Sequence, residues 1–228
     1  MTREEFLGNL PQLTQNYQPS QEALQRIANI TLLMIIGPSG VGKTSIIKRL
    51  GIPYVPADIT RPERPEEIQG EDYFFRSDYD SLTSEIKNGG FVQVAIGPGG
   101  DFYGTRANSY PGFGLAVYAV VADVIPNFRE LGFEHTTSTY IVPPNLQEWM
   151  KRMGAHQLDQ EQLEKRIAEA KRSLSFALSD EHMHFILNDS LDDAVTQVNA
   201  LVGGTPNKVR EDYAKQTASQ IYKELIST

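Results

Sequence analysis

The sequence predicts an α/β fold built on a parallel core sheet, and three observations carry that expectation. Short apolar runs alternate along the chain with helical patterns, as they do where strands are joined by crossover helices. The first strong apolar run leads into a glycine-rich turn that opens a helix, Gly37-Pro38-Ser39-Gly40-Val41-Gly42-Lys43-Thr44. The chain has 228 residues, 40% of them hydrophobic, which is enough for one α/β domain with insertions.

The elements follow in order. Residues 2–28 read as helical pieces broken at Pro11 and Pro19, an N-terminal extension of about 30 residues. Residues 31–36 (TLLMII) read as a buried strand, and a helix begins near Lys43. An insertion, residues 57–105, is richer in Pro, Gly, Tyr and charge. Its runs 73–75 and 91–96 suggest a small sheet, with a helix over 79–87 between them. Strands are expected at 114–121 (GLAVYAVV), 137–142 (TSTYIV) and 184–187 (HFIL), with helices starting near Val124, Leu146, Asp159 and Leu191. The core is thus residues 31–56 and 106–202. The polar, Gly-containing stretch 151–159 separates two helical segments, as a mobile flap would. In the last segment, 203–228, residues 206–226 read as an amphipathic helix. Its stripe is Val209, Tyr213, Ala214, Ala218, Ile221, Tyr222 and Leu225. Docking onto the core is the expected fate of both ends, and a dimer contact is the alternative.

The glycine-rich turn fits the pattern G-x-x-x-x-G-K-[ST] in full. Glycines let the backbone curl so that successive N–H groups point at phosphate oxygens, and the helix start adds free N–H groups and a positive dipole end. Gly37, Ser39, Gly40, Val41, Gly42, Lys43, Thr44 and Ser45 are the set expected to bind a nucleoside triphosphate. Lys43 reaches the β- and γ-phosphates, and the Thr44 hydroxyl helps hold Mg²⁺. Loop and alternating elements together predict a three-layer fold of the P-loop nucleoside triphosphate hydrolase type.

Composition narrows the function. A net charge of −8 argues against non-specific binding to nucleic acid or anionic membrane, so anionic substrates fall to local arginines. There is no cysteine, which excludes disulfides and thiolate metal sites. His182 and His184 share a face of an expected strand, but no acidic partner stands at ligand spacing. No basic-then-apolar leader opens the sequence and no run approaches the ~18 residues of a membrane span, so a cytoplasmic location is expected.

Residues 57–75, ADITRPERPEEIQGEDYFF, hold the second motif. Arg61 and Arg64 lie three apart in a loop, where their forks can converge on one phosphate. Tyr73 and Tyr103 can each donate a hydroxyl bond to it. Read alone, the arginines could instead pair with Glu63, Glu66 and Glu67, with the tyrosines in the core. The chain resembles the guanylate kinase family here. That family carries a GPSGxGK[ST] loop and then S-x-T-T-R-x-x-R-x-G-E-x-x-G-x-D-Y-x-F. Thr60, Arg61, Pro62, Arg64, Glu67, Gly70, Asp72, Tyr73 and Phe75 fall in register with it. Phe102-Tyr103-Gly104-Thr105, Ile141-Val142-Pro143-Pro144 and Asn188-Asp189 match further family segments, so the resemblance spans residues 32–201.

The resemblance implies that the insertion binds a nucleoside monophosphate through Arg61, Arg64, Tyr73, Gln93, Tyr103 and Thr105; Asp123, after the strand 114–121, stands where such folds place a carboxylate near Mg²⁺ or the acceptor sugar. It implies a helical lid over about 145–166, with Arg152 and Arg166 acting beside Lys43 on the transferring phosphoryl group, and Asn188 against adenine. The expected activity moves the γ-phosphoryl group of ATP, with Mg²⁺, to GMP or a related nucleoside monophosphate, in a monomer or homodimer.

This sequence departs from the family at informative points. Ala57 stands for a serine, and Gln93 for a glutamate that reads guanine. Val121 stands for an aspartate, His156 lies near an expected arginine, and the loop 96–101 is one residue longer. A glutamine offers one acceptor and one donor where guanine presents two donors. Two alternatives therefore stay open: a binding module with weak or no catalysis, and a kinase for another small phosphorylated acceptor.

Overall fold

A computed structural model of the chain describes residues 1–97, 99–154 and 159–227. Two helices come first, α1 (Arg3–Thr14) and α2 (Gln21–Ile27). A capping box starts α1: Thr2 accepts from the Glu5 N–H, and the Glu5 carboxylate accepts from the Thr2 N–H at 2.8 Å. The expected break at Pro11 does not occur. The helix runs through it because Phe6 and Leu10 are fully buried, and that burial outweighs the one main-chain bond a proline removes. The break at Pro19 does occur, and Ser20 caps α2.

Then come β1 (Ile30–Ile36), α3 (Lys43–Leu50), β2 (Ala57–Ile59), β3 (Tyr73–Phe75), α4 (Tyr79–Lys87), β4 (Phe91–Ile96) and β5 (Phe102–Arg106). The chain continues with β6 (Gly114–Ala119), α5 (Ile125–Glu130), β7 (His135–Val142), α6 (Leu146–Gly154) and α7 (Gln160–Ser179). It ends with β8 (Met183–Leu187), α8 (Leu191–Val202) and α9 (Lys208–Ile226).

Two compact units result. The first comprises Met1–Leu32, Pro53–Ala116 and Pro126–His135; the second comprises Leu33–Ile52, Val117–Ile125 and the chain from Thr136. The first unit holds a sheet of order β3-β2-β5-β4, in which β2 and β3 are parallel while β5 runs antiparallel to β2 and β4. Its core gathers Phe6 and Leu10 of α1, Leu82 and Ile86 of α4, and Phe91 and Phe102 of the sheet. The N-terminal extension therefore docks on the inserted sheet. Beneath β2, the fully buried Asp58 carboxylate accepts from Arg76 Nη1 at 2.7 Å and Arg106 Nε at 2.9 Å, while Arg76 also grips Glu85.

The main sheet has the order β6-β1-β7-β8; the second unit holds half of β6, the larger part of β1 and β7, and all of β8. β7 and β8 are parallel, from Ser138 opposite Met183 to Val142 opposite Leu187. In β1, Leu32 to Ile36 are all buried, the mark of a strand covered on both faces. β6 stops at Ala119, two residues early, because Val121 starts a 3₁₀ turn over Ala122–Val124. α9 packs on β8 and α7 through Ala214, Ala218, Ile221 and Leu225. Its Val209 and Tyr213 are exposed, so the buried stripe is narrower than expected. Residues 151–154 of the expected flap are the last turn of α6. Residues 155–158, His156 among them, lie outside the described residues, and Asp159 caps α7. His182 precedes β8 rather than sharing a strand face with His184, whose Nδ1 meets Glu211 at 2.8 Å. Among the described residues no group of His, Asp and Glu could hold a metal ion, and no helix is long and apolar enough to cross a membrane.

Candidate active site

The phosphate loop belongs to the second unit and joins β1 to α3. Gly37, Gly40 and Gly42 have φ of 149°, 78° and 97°, which other residues adopt only under strain. Space enforces the choice as well: a Cβ on Gly37 would lie 2.7 Å from the Ile141 carbonyl, and one on Gly42 2.6 Å from Asn188 Nδ2. Gly42 caps α3, so Lys43, Thr44 and Ser45 form its first turn, with Thr44 and Ser45 exposed there. Val41 is buried and pins the loop from below.

Three side chains from α6 and the end of β8 hold the loop. Trp149 of α6 donates Nε1–H to the Ser39 carbonyl at 2.8 Å. Asn188, just past β8, donates Nδ2–H to the Val41 carbonyl at 2.7 Å, and its own N–H goes to Val142. Arg152 of α6 donates Nη1–H to the Asn188 carbonyl at 3.1 Å and Nε–H to Glu148. Asn188 thus gives an amide N–H to the loop. Lys43 folds back, Nζ donating to the carbonyls of Gly37 (2.5 Å) and Pro38 (3.1 Å). Burial pushes its ammonium down to about 8; Glu169 opposes that and Arg166 adds to it, so both α7 side chains lie within electrostatic reach of Lys43. Asp123 sits exposed in the 3₁₀ turn after β6, in this unit and not in the one that holds Arg61.

The other residues expected on the acceptor side, Arg61, Arg64, Tyr73, Gln93, Tyr103 and Thr105, all belong to the first unit. Arg61 makes a two-pronged pair with Glu67, Nη1 to Oε2 at 2.7 Å and Nη2 to Oε1 closer still. Its guanidinium lies 5.1 Å from the centre of the Tyr73 ring and 5.9 Å from that of Phe75. Glu67 and Tyr103 together hold the guanidinium charged against the effect of burial. Arg64 is more exposed, with Nη1 3.9 Å from Glu67 Oε1. Of the three glutamates open to these arginines in the sequence, Glu67 is the one that engages both. Those bonds hold its carboxyl below the usual range although burial acts the other way. Burial raises the Tyr73 phenol, and Tyr103 adds to this. Arg61, Arg64, Tyr73 and Tyr103 are therefore brought together around one carboxylate.

Gln93 lies directly across from Thr105 on the β4–β5 pair. A β-bulge between Phe91 and Gln93 places it there. Phe91 pairs with Arg106 and Gln93 with Thr105, so the two residues face opposite sides of the sheet although they are two apart. Phe91 enters the core, and Gln93 shares the face of Tyr103 and Thr105. The longer 96–101 loop closes with Gly97 N–H on the Asp101 carbonyl at 2.9 Å, and the pairing reaches Ile96 opposite Phe102, so the extra residue is absorbed in the turn. Gln93 Nε2 donates to the Val94 carbonyl at 2.8 Å, and Thr105 accepts from the Tyr110 hydroxyl at 2.9 Å. Sequence reasoning missed Asp58, Arg76 and Arg106. Their only signal was a carboxylate in a short apolar strand, next to the motif.

Comparison with known proteins agrees with this arrangement. The guanylate kinase family model matches residues 29–204. The guanylate kinase of Thermotoga maritima is 30% identical over 198 residues, covering 83% of this chain and 90% of that one. The guanylate kinase of Escherichia coli strain K12 is 27% identical over 219 residues, covering 88% of this chain and all of the other. Among solved structures, a guanylate kinase from Anaplasma phagocytophilum superposes with a TM-score of 0.58 at 22% identity, over 80% of this chain and 90% of that chain, a likeness of fold. On a family match that covers most of its length, and with the motif residues assembled as described, this chain belongs to the guanylate kinase family.

Proposed function

We propose that this chain moves the γ-phosphoryl group of ATP to a nucleoside monophosphate, with GMP the first acceptor. The observation that supports it most is the intact phosphate loop, with left-handed glycines and Lys43 at the helix start, in a chain of this family. A module kept only for binding would not need that strained loop. Neither it nor a kinase for a different acceptor is favoured by the relatives.

The transfer asks for placement and positive charge rather than covalent chemistry. The loop N–H groups from Ser39 to Ser45 cradle the ATP phosphates, and Lys43 leaves the Gly37 and Pro38 carbonyls to meet them. Arg152 and Arg166 add charge on the same side. Asn188 keeps its amide oxygen for adenine. On the acceptor side, Arg61 and Arg64 take the phosphate, Tyr73 and Tyr103 donate to it, and Gln93 and Thr105 face the base. Asp123 is assigned to the acceptor nucleoside. Mg²⁺ fits the exposed Thr44 hydroxyl together with substrate phosphates, since this ion keeps few protein ligands and the described residues offer no carboxylate cage. When bound, it neutralises charge on the phosphates. A cytoplasmic location suits these substrates.

The test is release of ADP by the purified protein across all nucleoside and deoxynucleoside monophosphates. Turnover of GMP is expected; turnover of a different acceptor alone, or of none, overturns the reading.

A further inference from the structure

The family match begins at residue 29, after both N-terminal helices, yet α1 and the linker that joins it to α2 hold the two segments that carry the acceptor residues. Arg3 of α1 donates Nη2–H to Asp101 Oδ1 at 2.5 Å. Asp101 also accepts from the Thr60 hydroxyl at 3.2 Å, and that hydroxyl accepts the Phe102 N–H at 3.0 Å. Thr60 directly precedes Arg61, and Phe102 directly precedes Tyr103. On the other segment, the Tyr17 hydroxyl donates to the Phe91 carbonyl at 2.5 Å and accepts the Phe91 N–H at 2.8 Å. Phe91 is where the bulge begins that turns Gln93 to the acceptor face. Next to it, Ser20 donates its N–H to the Gly89 carbonyl at 2.9 Å, so tightly that a Cβ on Gly89 would lie 2.6 Å from that nitrogen. Phe6 and Leu10 anchor the whole segment in the core.

A helix that only covered an apolar face would need the last of these contacts alone. The contacts of Arg3 and Tyr17, and the Thr60–Asp101 bond beside them, fall instead on main-chain and side-chain groups one or two residues from Arg61, Tyr103 and Gln93, and that of Ser20 falls four residues from Gln93. Asp101 is itself buried, so without Arg3 its charge would lack its cationic partner.

We propose that residues 1–28 act as a brace for the monophosphate side, with Arg3 and Tyr17 as positioning residues. Arg3 fixes the Thr60–Asp101 junction and thereby Arg61 and Tyr103; Tyr17 fixes the bulge and thereby Gln93. The brace lowers the ordering cost of acceptor binding and leaves donor binding alone. It rests on the acceptor assignment given above, and one of its tests does not need that assignment.

The variants are Arg3→Ala, Arg3→Lys and Tyr17→Phe in the full chain. Hydrogen exchange is read first, without nucleotide. Faster exchange of amides 58–64 and 102–105 in Arg3→Ala, and of 91–96 in Tyr17→Phe, with 33–47 unchanged, is expected; unchanged exchange overturns the brace whatever the acceptor is. Steady-state kinetics follow. Arg3→Ala and Tyr17→Phe should raise KM for GMP about fivefold and leave KM for ATP within about twofold, a split that general destabilisation does not produce. Arg3→Lys should recover most of the loss. Equal changes in both KM values overturn the positioning role. A wild-type protein that does not use GMP overturns the substrate reading, while exchange still decides the brace.

Discussion

Lys43 makes the donor side pH-dependent in a direction the structure fixes. Its ammonium is pushed down to about 8 by burial against the loop, far below a free lysine. In the free protein it therefore loses its proton above about pH 8, and a neutral amine cannot balance phosphate charge. kcat/KM for ATP, which reports groups of the free enzyme, should be level below about pH 8 and then fall towards tenfold per unit, leaving about a tenth near pH 9. Bound phosphates favour the charged form, so the limb in kcat should lie at higher pH. ATP titrated at about pH 8.5 in two buffers of different ionisation enthalpy should reveal proton uptake. Lys43→Arg carries a charge that does not titrate in this range, so it should flatten the limb while lowering the rate. The unfolded chain holds more protons at Lys43 between pH 8 and the free-lysine value, so this group alone makes the fold gain stability as pH climbs through that window. A kcat/KM for ATP that stays level to about pH 10, with no proton uptake, would refute the reasoning.

Arg61→Ala and Arg64→Ala should each raise the acceptor KM, by an amount set by about 1.5–3 kcal/mol of lost charge-assisted bonding, with ATP affinity unchanged; titration calorimetry with each nucleotide checks this. Gln93→Glu should raise kcat/KM for GMP relative to other monophosphates, because a carboxylate accepts two guanine N–H bonds and the present amide cannot. An unchanged ratio in a competition assay removes Gln93 from base reading. Asp58→Ala should cost about 1–3 kcal/mol of folding stability by removing the acceptor that Arg76 and Arg106 share, Arg76 keeping Glu85, as measured by urea unfolding.

The parallel-sheet strands, the phosphate loop and the Arg61-to-Phe75 motif were legible because each is written in contiguous residues. β1 is apolar without a break, and the loop glycines are spaced by the backbone they must form. The strands β2 and β5 were not. Ala57–Ile59 is too short for a period. In β5, Gly104 interrupts the apolar pattern for a reason visible only in three dimensions: a Cβ there would meet the Phe102 ring at 2.5 Å and the Phe91 ring at 2.8 Å. Pro11 misled because propensity is local while the burial of Phe6 and Leu10 is not. The network around Asp58 joins residues 18 and 48 apart in sequence, and no spacing rule reaches that far.

The bulge at Phe91 has a consequence for how such a site can change over generations. In an unbroken strand, a residue two places from a core phenylalanine is itself a core residue, and every substitution there is tried against packing first. One extra residue separates the two trials. Position 93 can exchange amide for carboxylate while Phe91, Phe102 and Phe6 keep their places. On the base-reading role proposed for Gln93, choice of base becomes a coordinate along which the enzyme can drift, limited by the burial of Gln93 itself rather than by the phenylalanine core.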